Sequence, residues 1–332
     1  MAASADDVRA LVDRRGTIRN RDVVDALGVS PATAHRLLRA LVLGGVLERQ
    51  GKGRAAHYRL RRLRHRFRLR GLDENEAWQR IAEAIGRIRP LGASEMQSLQ
   101  YATTEILNNA VDHSGGRAVE VSVAFAERGA TVTTVSDDGI GVFRRIRQDF
   151  GFASPHDAIL QLEKGKLTSD PARHSGEGLF FSSKAVTRFR LESEAVAWIV
   201  DNHIGDSAVG LSPVRRGTRV ELTVVRGHVP RLEAVFRAYT DPKTLRFTRT
   251  RTTVKLAALG TALVSRSEAK RLVARLPEFT HVTLDFSGVD VVGQGFCDEV
   301  FRVFARAHRR VTLEPVGMND AVAFMVARAR VT

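Results

Sequence analysis

Apolar positions in the first sixty residues switch from a helical to an extended period. Val8, Leu11 and Val12 form one helical stripe and predict a helix over Asp6–Arg15, and Val23, Val24 and Leu27 predict another over Asn20–Leu27. After Gly28-Val29-Ser30, a third helix is predicted from Pro31 to Leu43. Ser30 suits its N-cap, and Pro31 takes the first helical position, where a missing N–H costs nothing. Ala34, Leu37, Leu38 and Leu41 share the inward face, which leaves Thr33, His35, Arg36 and Arg39 outside. Beyond Gly44-Gly45 the period falls to two. Strands are predicted over Val46–Gln50 and Ala56–Leu60, around the tip Gly51-Lys52-Gly53-Arg54.

These elements, carried by VSPATAHRLLRAL and GVLERQGKGRAAHYRL, resemble bacterial winged helix-turn-helix domains over residues 5–60. Residues 1–63 are therefore expected to form an α+β winged helix. The resemblance implies double-stranded DNA as a partner, read by Ser30, Thr33, His35, Arg36 and Arg39, with Lys52 and Arg54 of the wing on phosphates. A winged helix can instead dock protein, but cations on the outward positions favour DNA. Residues 1–70 carry 17 Lys/Arg against 6 Asp/Glu, a net +11 of the chain's +15, which points to a polyanion for this region. Arginine far outnumbers lysine throughout, so part of that charge follows composition. Next, RRLRHRFRLR alternates Arg64, Arg66, Arg68 and Arg70 with His65, Phe67 and Leu69, a strand with one charged face. Its arginines either extend the DNA footprint or form a solvated strand edge.

Trp78, Ile81, Ile85 and Ile88 fall at helical spacing and predict a helix over Glu74–Ile88, broken by Pro90-Leu91-Gly92. Ser94 is expected to cap the following helix, with Gln97 closing a capping box. That helix ends in TEILNNAVDHS, where Glu105, Asn109 and Asp112 lie at i, i+4 and i+7 on one face, away from Leu99, Ile106 and Ala110. A carboxylate and an amide in one row make poor core and suit a metal–phosphate site. A hairpin follows, Val119–Ala126 and Thr131–Ser136, running into DDGIGVF. Asp137 can accept a hydrogen bond from an exocyclic amine, and Gly139 and Gly141 let backbone approach a ligand closely. HSGEGLFFSSKAV then leads Gly176 and Gly178 into a helix start, and Gly217-Thr218 opens a later strand.

In this order and spacing, these four elements resemble the boxes of the GHKL superfamily of gyrase-type topoisomerases, mismatch-repair ATPases, histidine kinases and anti-sigma serine kinases, over about residues 64–226. The resemblance implies a Bergerat-type α/β sandwich over residues 64–230 with ATP and Mg²⁺ as cofactors. Asn109 would ligate the metal, Glu105 would be the catalytic general base, and Asp137 would hold the adenine amine. Gly139 and Gly141 would shape the base pocket, Gly176 and Gly178 would cradle phosphates, and Thr218 would lie near adenine with a bridging water. Val142–Ser175 would be the ATP lid, with a helix over Pro155–Glu163 and with Lys164 and Lys166 either reaching phosphates or solvated. The carboxylate of Glu105 could serve an ATPase or a serine/threonine protein kinase of the anti-sigma type. The predicted Glu74–Ile88 helix holds no histidine, which disfavours histidine autophosphorylation.

Residues 244–332 alternate again: Leu245–Leu259 extended, Arg266–Leu276 helical, His281–Phe286 a buried strand, Gln294–His308 helical, Val311–Pro315 a strand and Asp320–Arg330 a helix. VTLDFSGVDVVGQGFCDEVFRVF resembles the STAS fold of anti-sigma-factor antagonists, so residues 240–332 are expected to be a STAS-like α/β domain. The antagonists carry a phosphorylated serine at the helix start, whereas Gly293-Gln294-Gly295 here offers no hydroxyl. A docking surface is expected instead, for the ATPase in cis or for a sigma/anti-sigma-type protein, or else a purely structural cap.

Composition narrows the class further. No apolar run approaches the roughly 20 residues of a membrane span, and the acidic start MAASADDVRA is no secretory signal. A single cysteine, Cys297, forms no internal disulfide, suits a small buried side chain and fits a reducing cytosol. The reading is a multidomain cytoplasmic regulator, homodimeric on half-site grounds, with no membrane partner. Mg-ATP in the pocket would control its DNA or partner binding.

Overall fold

The computed structural model describes residues 3–126, 129–165, 177–240, 251–274 and 276–331. The chain divides into two compact units. The first holds Met1–Val142, Ser182–Asp206 and Ser212–Leu232; the second holds Phe143–Phe181, Ser207–Leu211 and Glu233–Thr332.

In the first unit, α1 (Ala5–Arg15), β1 (Thr17–Ile18), α2 (Asn20–Leu27), α3 (Pro31–Leu43), β2 (Leu47–Gln50) and β3 (His57–Leu60) build the winged helix. Ser30 caps α3 as expected, accepting a hydrogen bond from the Thr33 N–H. The short strand β1 was not foreseen, and it adds to the wing by pairing antiparallel with β3. Val8, Leu11, Leu38 and Tyr58 form the core of this part, and Ile88 belongs to the same core with Leu63 and Phe125 packed against it. The winged helix therefore shares its apolar centre with the segments that follow.

Those segments are β4 (Leu63–Arg68), α4 (Glu74–Ile88), α5 (Ala93–His113), β5 (Ala118–Phe125) and β6 (Ala130–Asp137). After α6 (Val142–Phe150), α7 (Pro155–Lys164) and α8 (Gly178–Ala185) come β7 (Arg188–Ser193), β8 (Val196–Asp201), β9 (Asp206–Leu211) and β10 (Arg219–Val225). Within the first unit the sheet runs in the order β4-β5-β6-β10-β7-β8, each neighbouring pair antiparallel. Alternate residues, among them Val119, Val121, Val135, Val220 and Leu222, turn to the buried face beneath α4 and α5. The result is a two-layer sandwich of helices on an antiparallel sheet.

One expected cap is corrected. Gly92, not Ser94, is the N-cap of α5, and no side chain caps it. The reason lies at Glu95, which is buried, accepts from the Gly227 N–H at 3.1 Å and fills the space where a side chain at residue 92 would sit. The backbone start of the helix is fixed by that carboxylate.

In the second unit, α9 (Leu232–Tyr239) supplies Phe236 and Tyr239, which pack on Phe181 and Phe180 at ring separations of 4.7 and 4.9 Å. The strands β11 (Arg251–Lys255), β13 (His281–Asp285) and β15 (Thr312–Val316) form a parallel sheet in the order β11-β13-β15, beside the two-residue pair β12 (Ala262–Leu263) and β14 (Val291–Val292). Around it lie α10 (Arg266–Val273), α11 (Gln294–Cys297), α12 (Ala305–Ala307) and α13 (Asp320–Val331). The predicted single helix over Gln294–His308 is helical, but Asp298–Phe304 winds as a π-helix between α11 and α12. Leu160 of α7 is buried in the same core as Val254, Leu272, Val282 and Phe296. The helix foreseen inside the lid thus takes part in the C-terminal fold.

Candidate functional site

The strand β6 delivers Asp137 at its last position, and the chain turns there. Asp137 Oδ1 accepts from the Gly139 N–H at 2.9 Å and the Thr218 N–H at 3.3 Å. Its own N–H donates to the Thr218 carbonyl at 3.0 Å, and the Thr218 hydroxyl oxygen accepts from the Val142 N–H at 3.0 Å. Asp137, Gly139 and the distant Thr218 form one hydrogen-bonded cluster.

Glycine is required at two points in it. A side chain at residue 139 would run into the Ser114 carbonyl, a backbone atom that cannot give way. Gly141 has φ of +95°, and a side chain there would meet the Ser193 hydroxyl, itself donating to the Gly217 carbonyl at 3.0 Å.

The same loop is tied to the end of α5. Ser114 donates its hydroxyl to the Ala110 carbonyl at 2.5 Å and accepts, through its own carbonyl, from the Ile140 N–H at 2.9 Å. Asn109 stands little more than one turn before Ser114, and Glu105 one turn before that, both half-buried. Among the described residues, the Asn109 side-chain nitrogen is buried without a hydrogen-bond partner. Such an orphan in a packed site is uncommon and marks capacity that a bound group could use.

Two adjacent carboxylates are driven in opposite directions. Burial pushes the Asp137 carboxyl above the ordinary range; the hydrogen bonds from Gly139 and Thr218 oppose this, and the neighbouring Asp138 adds to it. Asp138 is exposed, and the backbone N–H groups of Ala118 and Arg117, at 3.0 and 2.7 Å, hold its carboxyl below that range. Asp138 pins the turn between α5 and β5, while Asp137 stays within the cluster.

The remaining expected residues are distributed as follows. Gly178 is the first residue of α8 and falls in the second unit. Gly176, Lys166 and the side chain of Lys164 lie outside the described residues. On the winged helix, His35, Arg36, Arg39 and Lys52 are exposed and Thr33 is half-buried. The Ser30 hydroxyl is engaged within the protein, donating to Thr33 Oγ1 at 3.0 Å. The side chain of Arg54 lies outside the described residues.

Residues 8–51 match the IclR helix-turn-helix domain. The match runs from α1 into β2, so it takes in α3 and its exposed cations. An IclR-type helix-turn-helix implies DNA binding and suggests a transcription regulator. Residues 268–323 match a STAS-like domain of unknown function (DUF4325), from α10 to the first turn of α13. No curated protein matches the chain. Among the described residues, no helix is long and apolar enough to cross a membrane.

Three residues that shape the cluster were given no role by the sequence. Ser114 acts through its backbone carbonyl, Asp138 through a turn twenty residues upstream in the chain, and Ser193 through a strand that the apolar pattern did not delimit. Asp138 alone was visible, as the second acid of the DDGIG motif.

Proposed function

We propose that the chain is a DNA-binding transcription regulator whose α5–β6 cluster holds an adenine nucleotide with magnesium. The observation that carries this reading is the junction of Asp137, Gly139 and Thr218 beside a helix that presents Asn109 with an unpartnered amide nitrogen. These groups fit such a ligand. Asp137 is a half-buried acceptor for an exocyclic amine, Gly139 and Gly141 leave two loop positions without side chains, and the Asn109 amide can donate from its nitrogen to phosphate and offer its oxygen to a metal. The sequence resemblance alone assigns Gly176 and Gly178 to the phosphates, and Thr218, the residue before β10, supports Asp137. Bound magnesium would neutralise phosphate charge. In this reading Glu105 would take a proton from water, or from a serine or threonine hydroxyl if a partner is phosphorylated.

In this reading Arg36, Arg39, His35 and Thr33 of α3 meet the groove, with Ser30 fixing the helix start and Lys52 and Arg54 on phosphates. The protein acts as a homodimer on paired half-sites, and the STAS-like domain is a docking surface for a sigma/anti-sigma-type partner.

Calorimetry with Mg-ATP on the wild type and on Asn109→Ala tests the pocket, and a gel shift on promoter DNA with and without Mg-ATP tests the coupling. The expectation is saturable binding weakened at least tenfold in Asn109→Ala, together with nucleotide-dependent DNA affinity. No binding heat in the wild type removes the pocket, and equal DNA affinity in both conditions removes the coupling. Phosphate release, as opposed to labelling of a STAS-fold protein, separates an ATPase from a kinase.

A further inference from the structure

β4 is the outermost strand of the first unit's sheet, and one of its faces is a row of cations. Arg64, Arg66 and Arg68 alternate along it and are all exposed, as are Arg61 and Arg62 just before it and Arg70 after it. Arg64 is within 3.2 Å of Glu120. Arg66 and Arg68 form no ion pair among the described residues, although Arg66 stands opposite Glu120 on β5 and helps to lower the Asp138 carboxyl. The row starts at the wing. Arg61 donates its N–H to the Val46 carbonyl at 2.9 Å, and its guanidinium lies against Gly45, in the turn between α3 and β2.

We propose that this arginine row is a second contact with the DNA phosphate backbone, continuing the footprint of the wing along the edge of the sheet. The inference rests on the DNA-binding reading of the winged helix. A strand edge can be protected from mispairing by a single charge of either sign. Here every outward position from Arg64 to Arg68 is a cation, and Glu120, which pairs with Arg64 and stands opposite Arg66 on β5, can offset only one of the three charges. Outward residues on a strand are spaced by roughly 6.6 Å, and phosphates of one DNA strand recur every 3.4 Å or so along the axis. The row therefore presents about one guanidinium per two phosphates. Guanidinium suits this role, because its planar fork binds phosphate oxygens in pairs.

The test uses the full chain and a mixed-sequence duplex of about 30 bp, three helical turns, with affinity measured by fluorescence anisotropy over a range of salt concentrations. Each phosphate contact contributes about 0.9 to the slope of log K against log salt. The variant R64Q/R66Q/R68Q is expected to lose about 2 from that slope and at least tenfold in low-salt affinity, with an unchanged thermal melt. R64K/R66K/R68K should restore most of the slope, and R309Q/R310Q, which removes exposed charge from the second unit, should leave it unchanged. If the glutamine variant keeps the wild-type slope, the row is not a DNA contact; self-association appearing in that variant with the slope intact would mark it as edge protection. Wild-type protein that binds no duplex at all would remove the DNA-binding reading itself, and this inference with it.

Discussion

Arg89, at the end of α4, forms a buried ion pair with Asp13 of α1. Its side chain is only 3% exposed, and the same guanidinium donates to the carbonyls of Ala130 at 2.6 Å and Ala126 at 2.8 Å while lying 5.3 Å from the Phe125 ring centre. Burial pulls the guanidinium below its usual value, and the charge of Asp13 opposes that pull. One side chain thus joins the first helix of the winged helix to both strands of the β5–β6 hairpin. Removing one member of a buried pair leaves the other uncompensated, at a cost of about 3–5 kcal/mol. Arg89→Met is expected to destabilise the first unit by that order in urea titration, and Asp13→Leu/Arg89→Met by less than the sum of the single changes. Strict additivity would show that the two groups do not depend on each other.

The ion pair and the shared core also constrain any ligand effect on DNA binding. A winged helix fixed to the sheet has no hinge of its own between Asp13 and Arg89. Any effect of a nucleotide near Asp137 on DNA affinity would have to reach the winged helix through this shared core and the Asp13–Arg89 pair.

Asp137 supplies a pH test. Burial raises its carboxyl above the ordinary aspartate range, so it takes up a proton at a higher pH than an exposed aspartate. An adenine amine needs the ionised acceptor. Nucleotide affinity should be complete above the raised value and fall as pH drops through it, beginning above the range in which exposed aspartates titrate. The unliganded protein has the opposite dependence. A raised folded value favours the protonated native state, so this contribution to stability is present at low pH and is lost as pH rises through the same window. Calorimetric titrations across pH, with Asp137→Asn as the non-titrating comparison, measure the first effect. A flat wild-type affinity profile counts against the assignment.

Much of this was legible locally. The ends of α2, α3 and α4 agree with the predicted ones because apolar spacing, Pro31 and the flanking glycines all point the same way. The strands β7 and β8 did not show, and the turn between them explains why. It is built from Glu194 and Ala195, both at positive φ, where a tight hairpin ordinarily announces itself with glycine or asparagine. The flanking Glu192 is buried, held by the Arg190 guanidinium at 2.9 Å and the Ser212 hydroxyl at 3.0 Å, so the usual polar-out alternation is broken as well. The capture of Leu160 by the C-terminal core is non-local and leaves no trace in the periodicity of α7. In the site, Asp137, Gly139, Gly141 and Thr218 were readable as motif residues, whereas the backbone role of Ser114 was not.

In the proposed pocket, Glu105 and Asn109 would separate chemistry from binding. A positioned general base typically contributes about 10²–10⁴-fold. Glu105→Gln is expected to reduce phosphate release by at least the lower figure while nucleotide affinity stays within about threefold of wild type, the scale of one lost neutral contact. Asn109→Ala should instead weaken binding and abolish its dependence on magnesium. Steady-state phosphate release, paired with calorimetry with and without the metal, checks both. Equal loss of affinity in the two variants would place Glu105 among the binding groups.

The helix α7 is held in the C-terminal fold by polar contacts as well as by Leu160. Asp157 is buried at the first turn of α7, where it closes a capping box with Ser154 and lies 3.1 Å from the Arg271 guanidinium on α10. The two partners are unequal. Arg271 is 44% exposed, so its charge is screened, whereas Asp157 is 5% exposed and also serves the helix start. Arg271→Ala leaves the carboxylate with the Ser154 N–H at 3.0 Å and hydroxyl at 2.9 Å. That change should cost no more than about 1 kcal/mol, as exposed pairs do. Asp157→Ala removes the reciprocal cap, worth about 1 kcal/mol, and empties a buried polar position. A loss of about 2 kcal/mol is therefore expected, with the α7 amides exchanging faster than those of β13. Hydrogen exchange by segment reads this directly. If Asp157→Ala leaves α7 as protected as in the wild type, the helix is held by Leu160 and its apolar neighbours alone.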